Sequence, residues 1–179
     1  MSNLVAHNLQ KYLEIVTNLE RARQNQSTNE GLWYRGIDDK TFDIRPGLFW
    51  RGFKSEYELV SDFVALAPQY TELRFQPKLH WDFEIPWEWY FLMQHYGAPT
   101  RLTDWTESPL VALFFAVQKA GETSSDLSTT PCVWVLDPLK LNSVSVNDPT
   151  VVVPGREFSQ YWLYKLNADN KIDAIPENH

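Results

Sequence analysis

Val5, Leu9, Tyr12, Leu13, Val16 and Leu19 recur at spacings of three and four. That period predicts an amphipathic helix ending before the polar stretch 23–30, with its apolar face packed on the domain that follows. The pattern then shortens. Leu32-Trp33-Tyr34-Arg35-Gly36 reads as an aromatic-rich strand closed by a glycine, and 38–47 as turns punctuated by Arg45-Pro46-Gly47. Ser55-Glu56-Tyr57-Glu58 has the form of a capping box, with Ser at the N-cap and Glu at N3. It opens a helix with apolar face Leu59, Val60, Phe63, Val64 and Ala67, expected to stop at Pro68. Pro86 predicts the start of another helix over 87–95, with Gly97 as its C′ residue.

The stretch 98–106 is too short and too punctuated for a helix. Ser108-Pro109 is an N-cap followed by Pro at N1, launching an apolar helix over 110–119. A polar loop over 121–130 leads to Cys132-Val133-Trp134-Val135-Leu136, a buried strand expected to stop at Asp137-Pro138. Val144, Val146 and 151–153 suggest further short strands. Helices and strands mix without βαβ alternation and no repeat or linker appears. The expectation is a single α+β domain, a small mixed or antiparallel sheet flanked by helices. Residues 1–25 form its packed N-terminal helix and 26–179 its body.

Composition narrows the class. In 179 residues, 44% are apolar and 15% aromatic, with eight Trp, which excludes wholesale disorder. A net charge of −7 argues against broad nucleic-acid binding, which needs a basic surface to displace counterions. The one cysteine, Cys132, sits in an apolar strand; it reads as a structural thiol and fits a reducing, cytoplasmic compartment. The N-terminus lacks the pattern of a signal peptide, and no apolar run is long enough to span a membrane.

Two constellations could carry chemistry. Arg35, at a strand end and beside Gly36, suits a two-pronged grip on phosphate or carboxylate, the glycine clearing room for a ligand. The alternative is a surface arginine beside a turn. The second is Gln94-His95-Tyr96-Gly97-Ala98-Pro99-Thr100-Arg101-Leu102-Thr103-Asp104-Trp105. It gathers imidazole, phenol, hydroxyl, guanidinium and carboxylate in one irregular segment between capped helices, where binding and catalytic groups concentrate. His95 is a candidate acid, base or hydrogen-bond donor. The sober alternative is a structural pair between Arg101 and a buried Asp104. Arg35 and the His95–Asp104 segment are expected to line one cleft. Asp82, Glu84 and Glu88, interleaved with Trp81, Trp87 and Trp89, read as structural, Glu88 suiting a helix N-terminus. No Gly-rich dinucleotide or phosphate loop, HExxH, GxSxG or zinc spacing is present, so no metal and no prosthetic group is expected.

Tyr34-Arg35-Gly36 with Arg45-Pro46-Gly47-Leu48-Phe49, and the long block from Gln94 through Ala116, resemble the two hallmark blocks of the FRG domain family, named for an aromatic-Arg-Gly motif. Tyr34 stands where the family has Phe. The resemblance covers roughly residues 30–140. The family's later strand, with an Arg and a Gln-x-Gly turn, has no clear counterpart before His179, which reads as a fragment or a lost block. The resemblance implies an ADP-ribosyltransferase-like split sheet and an NAD-consuming enzyme of toxin or phage-defence type, with NAD as substrate. In that reading Arg35, with Gly36 beside it, and Arg101 hold the pyrophosphate. His95 positions the ribose, Tyr96 or a Trp stacks on nicotinamide, and Thr100–Thr106, with Asp104 and Trp105 in it, leads into the helix over 110–116 and supports the nicotinamide side. Its rival is a non-catalytic module that binds a nucleotide or a protein partner.

Overall fold

The computed structural model describes residues 4–24, 31–51, 56–70, 87–119 and 130–151. Its elements are α1 (Leu9–Gln24), β1 (Trp33–Ile37), α2 (Gly47–Trp50), α3 (Glu56–Tyr70), α4 (Trp87–His95), α5 (Pro109–Val117), β2 (Cys132–Leu136) and α6 (Pro138–Val146). Six helices and one two-stranded antiparallel sheet among the described residues make the class α+β, as the sequence predicts. The chain groups into two compact units, one of residues up to Thr41 with those from Trp105 onward, the other of Phe42–Asp104.

In the first unit, α1 begins later than its apolar stripe. Asn8 Oδ1 accepts the Lys11 N–H at 2.8 Å, an N-cap that places Val5 outside the helix and exposed. The helix also runs past the expected stop to Gln24, because Arg23 is buried and bonded through Nε to Asp137 Oδ2 at 3.1 Å. Tyr12 and Val16 from α1, Leu32, Tyr34 from β1 and Ala112 from α5 form the core, with Leu19, Leu113 and Val133 against it. Burying each of the larger side chains contributes roughly 1.5–3 kcal/mol. The two tyrosines keep their hydroxyls satisfied: Tyr12 donates to the Pro109 carbonyl at 2.7 Å and Tyr34 to Glu20 Oε1 at 2.9 Å. Burial pushes the Tyr12 phenol up to about 12. It pushes Tyr34 higher still, helped by the Glu20 hydrogen bond.

Strand β1 pairs with β2 in the register Tyr34↔Val135, Arg35↔Trp134, Gly36↔Val133. On its other edge, Tyr34 and Thr106 exchange both backbone hydrogen bonds, at 2.7 and 2.9 Å. The opening aromatic-Arg-Gly block is thereby laced to the middle of the central block, at Thr106. Ser108 caps α5, its Oγ accepting from Val111 N–H at 3.4 Å, with Pro109 at N1. Two expectations change after β2. Asp137-Pro138 ends the strand but also starts a helix: Asp137 Oδ1 accepts the Lys140 N–H at 3.2 Å and Pro138 takes N1. Val144 and Val146 therefore lie in α6 rather than in strands, since a capped start outweighs the weak strand preference of isolated valines. Val151 is irregular, and 152–153 lie outside the described residues.

In the second unit, α3 continues through Pro68 to Tyr70. A proline in the final turn deprives only the Val64 carbonyl of a partner, so it ends the helix late rather than at once. Ser55, the expected cap, and Pro86 lie outside the described residues. Phe63 of α3 meets the buried Trp89 of α4 edge-on, with ring centroids 6.3 Å apart. The Arg45-Pro46-Gly47 turn opens the single helical turn α2, held by Leu48 N–H donating to the Thr100 carbonyl at 3.1 Å.

Candidate functional site

Helix α4 ends in a way that presents its last side chains. Gly97, at φ +73°, is the left-handed C′ residue; its N–H donates to the Gln94 carbonyl, and the Ala98 N–H to the Met93 carbonyl at 2.9 Å. That pair of bonds is a Schellman motif, and Gly is the residue that adopts this φ without strain. Met93 and Thr100 are fully buried on either side of the turn, which fixes the chain direction into 98–104.

An open pocket of about 470 Å³ follows, lined by Phe91, Gln94, His95, Leu102, Thr103 and Asp104. Two of the expected site residues, His95 and Asp104, thus share one depression. A hydrogen-bond chain underlies it. Leu102 N–H donates to Thr100 Oγ1 at 3.2 Å, the Thr100 hydroxyl donates to Gln94 Oε1, and Gln94 Nε2 donates to Asp104 Oδ2 at 3.0 Å. Thr100 accordingly stands beneath the pocket as a support rather than on its wall. Tyr96 is exposed, its ring edge-on to His95 at 5.3 Å and tilted against Phe63 at 6.4 Å.

The expected Arg101–Asp104 pair does not form. Arg101 instead grips Glu56 with two prongs, Nε on Oε1 at 2.7 Å and Nη2 on Oε2. That hydrogen bonding raises the guanidinium pKa further and burial only partly opposes it. The phenol of nearby Tyr90 is pushed up by burial and by the Glu56 charge, with Arg101 opposing. Asp104 is exposed rather than buried. At the start of α5 the Ser108 N–H donates to Thr106 Oγ1 at 3.1 Å. The sequence offered Glu56 only as part of a capping box and not as a partner of Arg101, which lies 45 positions away. Gln94, the hub of the pocket, opens the polar segment, and only its place in the last turn of α4 hints at a role.

Arg35 and Trp105 belong to the first unit, and His95, Tyr96, Thr100, Arg101 and Asp104 to the second. Strand alternation puts Tyr34 and Gly36 on the face toward α5 and Arg35 on the opposite face. Because Tyr34 spends its backbone groups on Thr106, Arg35 and Trp134 form a hydrogen-bonded pair of the β1–β2 ladder, with side chains adjacent on one face. Sequence reading missed Trp134, whose indole N–H is buried without a hydrogen-bond partner among the described residues. Gly36 has a packing reason. A Cβ there would stand 1.8 Å from the Ala112 carbonyl oxygen and 2.7 Å from the Ala116 nitrogen, so α5 backbone fills the space that a ligand was expected to use. Trp105 is half-buried at the entry to the Thr106 bridge. Cys132 is half-buried too, and burial raises its thiol pKa, in keeping with a structural thiol.

Among the described residues no helix is long and apolar enough to cross a membrane, and no cluster of His, Cys, Asp or Glu could hold a metal. Glu88 sits exposed in the first turn of α4, whereas Asp82 and Glu84 lie outside the described residues. No curated protein and no solved structure matches the chain. A family model for the FRG domain matches residues 30–125, more than half of the sequence, and takes in both hallmark blocks. The chain belongs to the FRG domain family.

Proposed function

We propose that the pocket of the second unit takes the nicotinamide–ribose end of NAD and that the chain is an NAD-consuming enzyme of the ADP-ribosyltransferase-like kind. The observation that carries this is the chemistry of the lining: a carboxylate, Asp104, and an imidazole, His95, between the apolar walls Phe91 and Leu102. The oxidised nicotinamide ring is flat and positively charged. Apolar and aromatic walls suit its faces, and a carboxylate suits its charge. Arg101, already held by Glu56, is not required for this end of the ligand. In the reaction the bond from ribose C1′ to the nicotinamide nitrogen breaks, leaving its electron pair on nicotinamide. An oxygen nucleophile bonds to C1′ and gives up its proton. Asp104 stabilises the oxocarbenium-like ribose and His95 accepts the proton. A cytoplasmic location and a toxin or phage-defence setting, in which NAD depletion is the output, belong to the same proposal.

Titration calorimetry with NAD, followed by measurement of nicotinamide release on the same sample, tests it. Binding with release is the expected outcome. Asp104→Asn should weaken binding about tenfold, the scale of one charge-assisted interaction. Binding without release reduces the proposal to a recognition module, and no binding removes it.

A further inference from the structure

The Gln94 side chain must choose which way its amide faces, and its two neighbours make the same choice. Thr100, 1% exposed, accepts the Leu102 N–H at 3.2 Å and gives its own O–H to Gln94 Oε1. With Oε1 engaged, Nε2 donates to Asp104 Oδ2 at 3.0 Å. Turning the amide over would set Oε1 against a carboxylate, acceptor against acceptor, so the charge on Asp104 opposes it. The Leu102 backbone N–H, the buried Thr100 hydroxyl and the half-buried Gln94 amide thus line up as donors toward an exposed carboxylate at the pocket wall. Each dipole in such a chain polarises the next.

We infer that Gln94 and Thr100 are positioning residues that hold the Asp104 carboxylate in the pocket, and that they give the site its preference for a cationic ring over a neutral one. The inference rests on the reading of the pocket as a nicotinamide site, and it assigns that site's selectivity. NAD in its oxidised form carries the ring cation, while the reduced form has a neutral dihydropyridine of nearly the same shape. A carboxylate fixed beside the ring separates the two, and a carboxylate that swings between orientations separates them poorly.

The test has two arms. In the first, calorimetry compares affinity for oxidised and reduced NAD in wild type, Gln94→Met, Thr100→Val and Thr100→Ser. Wild type should favour the oxidised form by about tenfold, the factor expected of one close charge contact. Gln94→Met keeps length and volume but loses the amide, and its ratio should fall toward one. Thr100→Val should act likewise, and Thr100→Ser, which keeps the hydroxyl, should restore the ratio. A variant that loses affinity for both forms equally, with the ratio intact, would mark a purely structural role and overturn the inference while leaving the nicotinamide reading standing. Wild type that binds neither form overturns both. The second arm needs no ligand. The Gln94 side-chain amide protons, identified by their loss in Gln94→Met, should resonate downfield and shift in Asp104→Asn. Amide protons that resemble those of a freely exposed glutamine would overturn the inference, and this arm stands even where Thr100→Val fails to fold.

Discussion

A methyl group on Gly36 would meet the Ala112 carbonyl oxygen at 1.8 Å and the Ala116 nitrogen at 2.7 Å. Both atoms are helix backbone and cannot swing aside as a side chain would, so either α5 moves or β1 does. Overpacking of a core typically costs 1–3 kcal/mol, and here the clash is with main chain, so Gly36→Ala should reach about 3 kcal/mol or more. Thermal melts should show a loss of Tm, of the order of ten degrees or unfolding at room temperature. A Tm unchanged by Gly36→Ala would mean that the strand and helix do not approach as described. Tyr34 offers a milder test at the same scale. Its ring is fully buried and its hydroxyl bonds Glu20, so Tyr34→Phe removes one hydrogen bond and leaves the packing. A cost of about 1 kcal/mol is expected in denaturant titration, and a stabilised variant would contradict the Glu20 contact. The sequence marked both residues as part of one motif. It could not say that the glycine answers to α5, because that contact spans 76 positions or more between Gly36 and Ala112.

At the scale of elements, legibility followed the caps. Ser108-Pro109 and Gly97 announced a helix start and a helix end, and the structure places them there. Both signals are local, satisfying backbone groups within one turn. Asp137-Pro138 was half legible, because the same dipeptide stops a strand and caps a helix. The alternation of Val144 and Val146 could not reveal which mattered. The structure shows Asp137 doing two things at once: Oδ1 caps α6 through Lys140 N–H, and Oδ2 takes the buried Arg23 at 3.1 Å. Burial alone would raise the Asp137 pKa, but the Arg23 hydrogen bond, the Lys140 N–H and the neighbouring cations outweigh it and hold it below the usual value. The folded pKa is therefore depressed. Its contribution to stability is present above the unfolded value, about 3.9, and is lost as pH falls through the folded pKa. Tm measured from pH 5 downward should fall in wild type below about pH 4. In Asp137→Asn the fall should be shallower, and an equally steep fall would remove this pair from the acid response. Asp137→Ala at neutral pH should cost about 3 kcal/mol or more, because it strands Arg23 as a buried charge as well as removing a cap. The exposed Lys119–Asp38 pair, with Lys119 67% exposed, offers the contrast: its removal should cost under about 1 kcal/mol.

For the whole molecule, the family match and the folding unit have different edges. The match spans 30–125, yet β1 has its strand partner β2 at Cys132–Leu136 and much of its core from α1 at Leu9–Gln24. A fragment cut to the matched residues would lose Tyr12 and Val16 from the core, leaving Tyr34 and Ala112 with water on one side. At roughly 1.5–3 kcal/mol for each large side chain exposed, losing α1 alone removes an amount comparable to a small domain's net stability of about 5–15 kcal/mol. Losing β2 strips β1 of every ladder bond except those to Thr106, and an isolated strand is not stable in water. The Arg23–Asp137 bond, which ties α1 to the start of α6, would go as well. Fragment 30–125 should therefore give a poorly dispersed amide spectrum and no cooperative melt. A fragment of residues 1–151, which keeps every described element, should melt cooperatively. If 30–125 folds on its own, α1 and β2 are accessories rather than parts of the core. If 1–151 fails as well, residues beyond it supply stability that the described elements lack. The sequence could place α1 and β2 as a helix and a strand by their periods. It could not name β1 as the strand that joins them in one core, since the β1–β2 register links residues about a hundred positions apart.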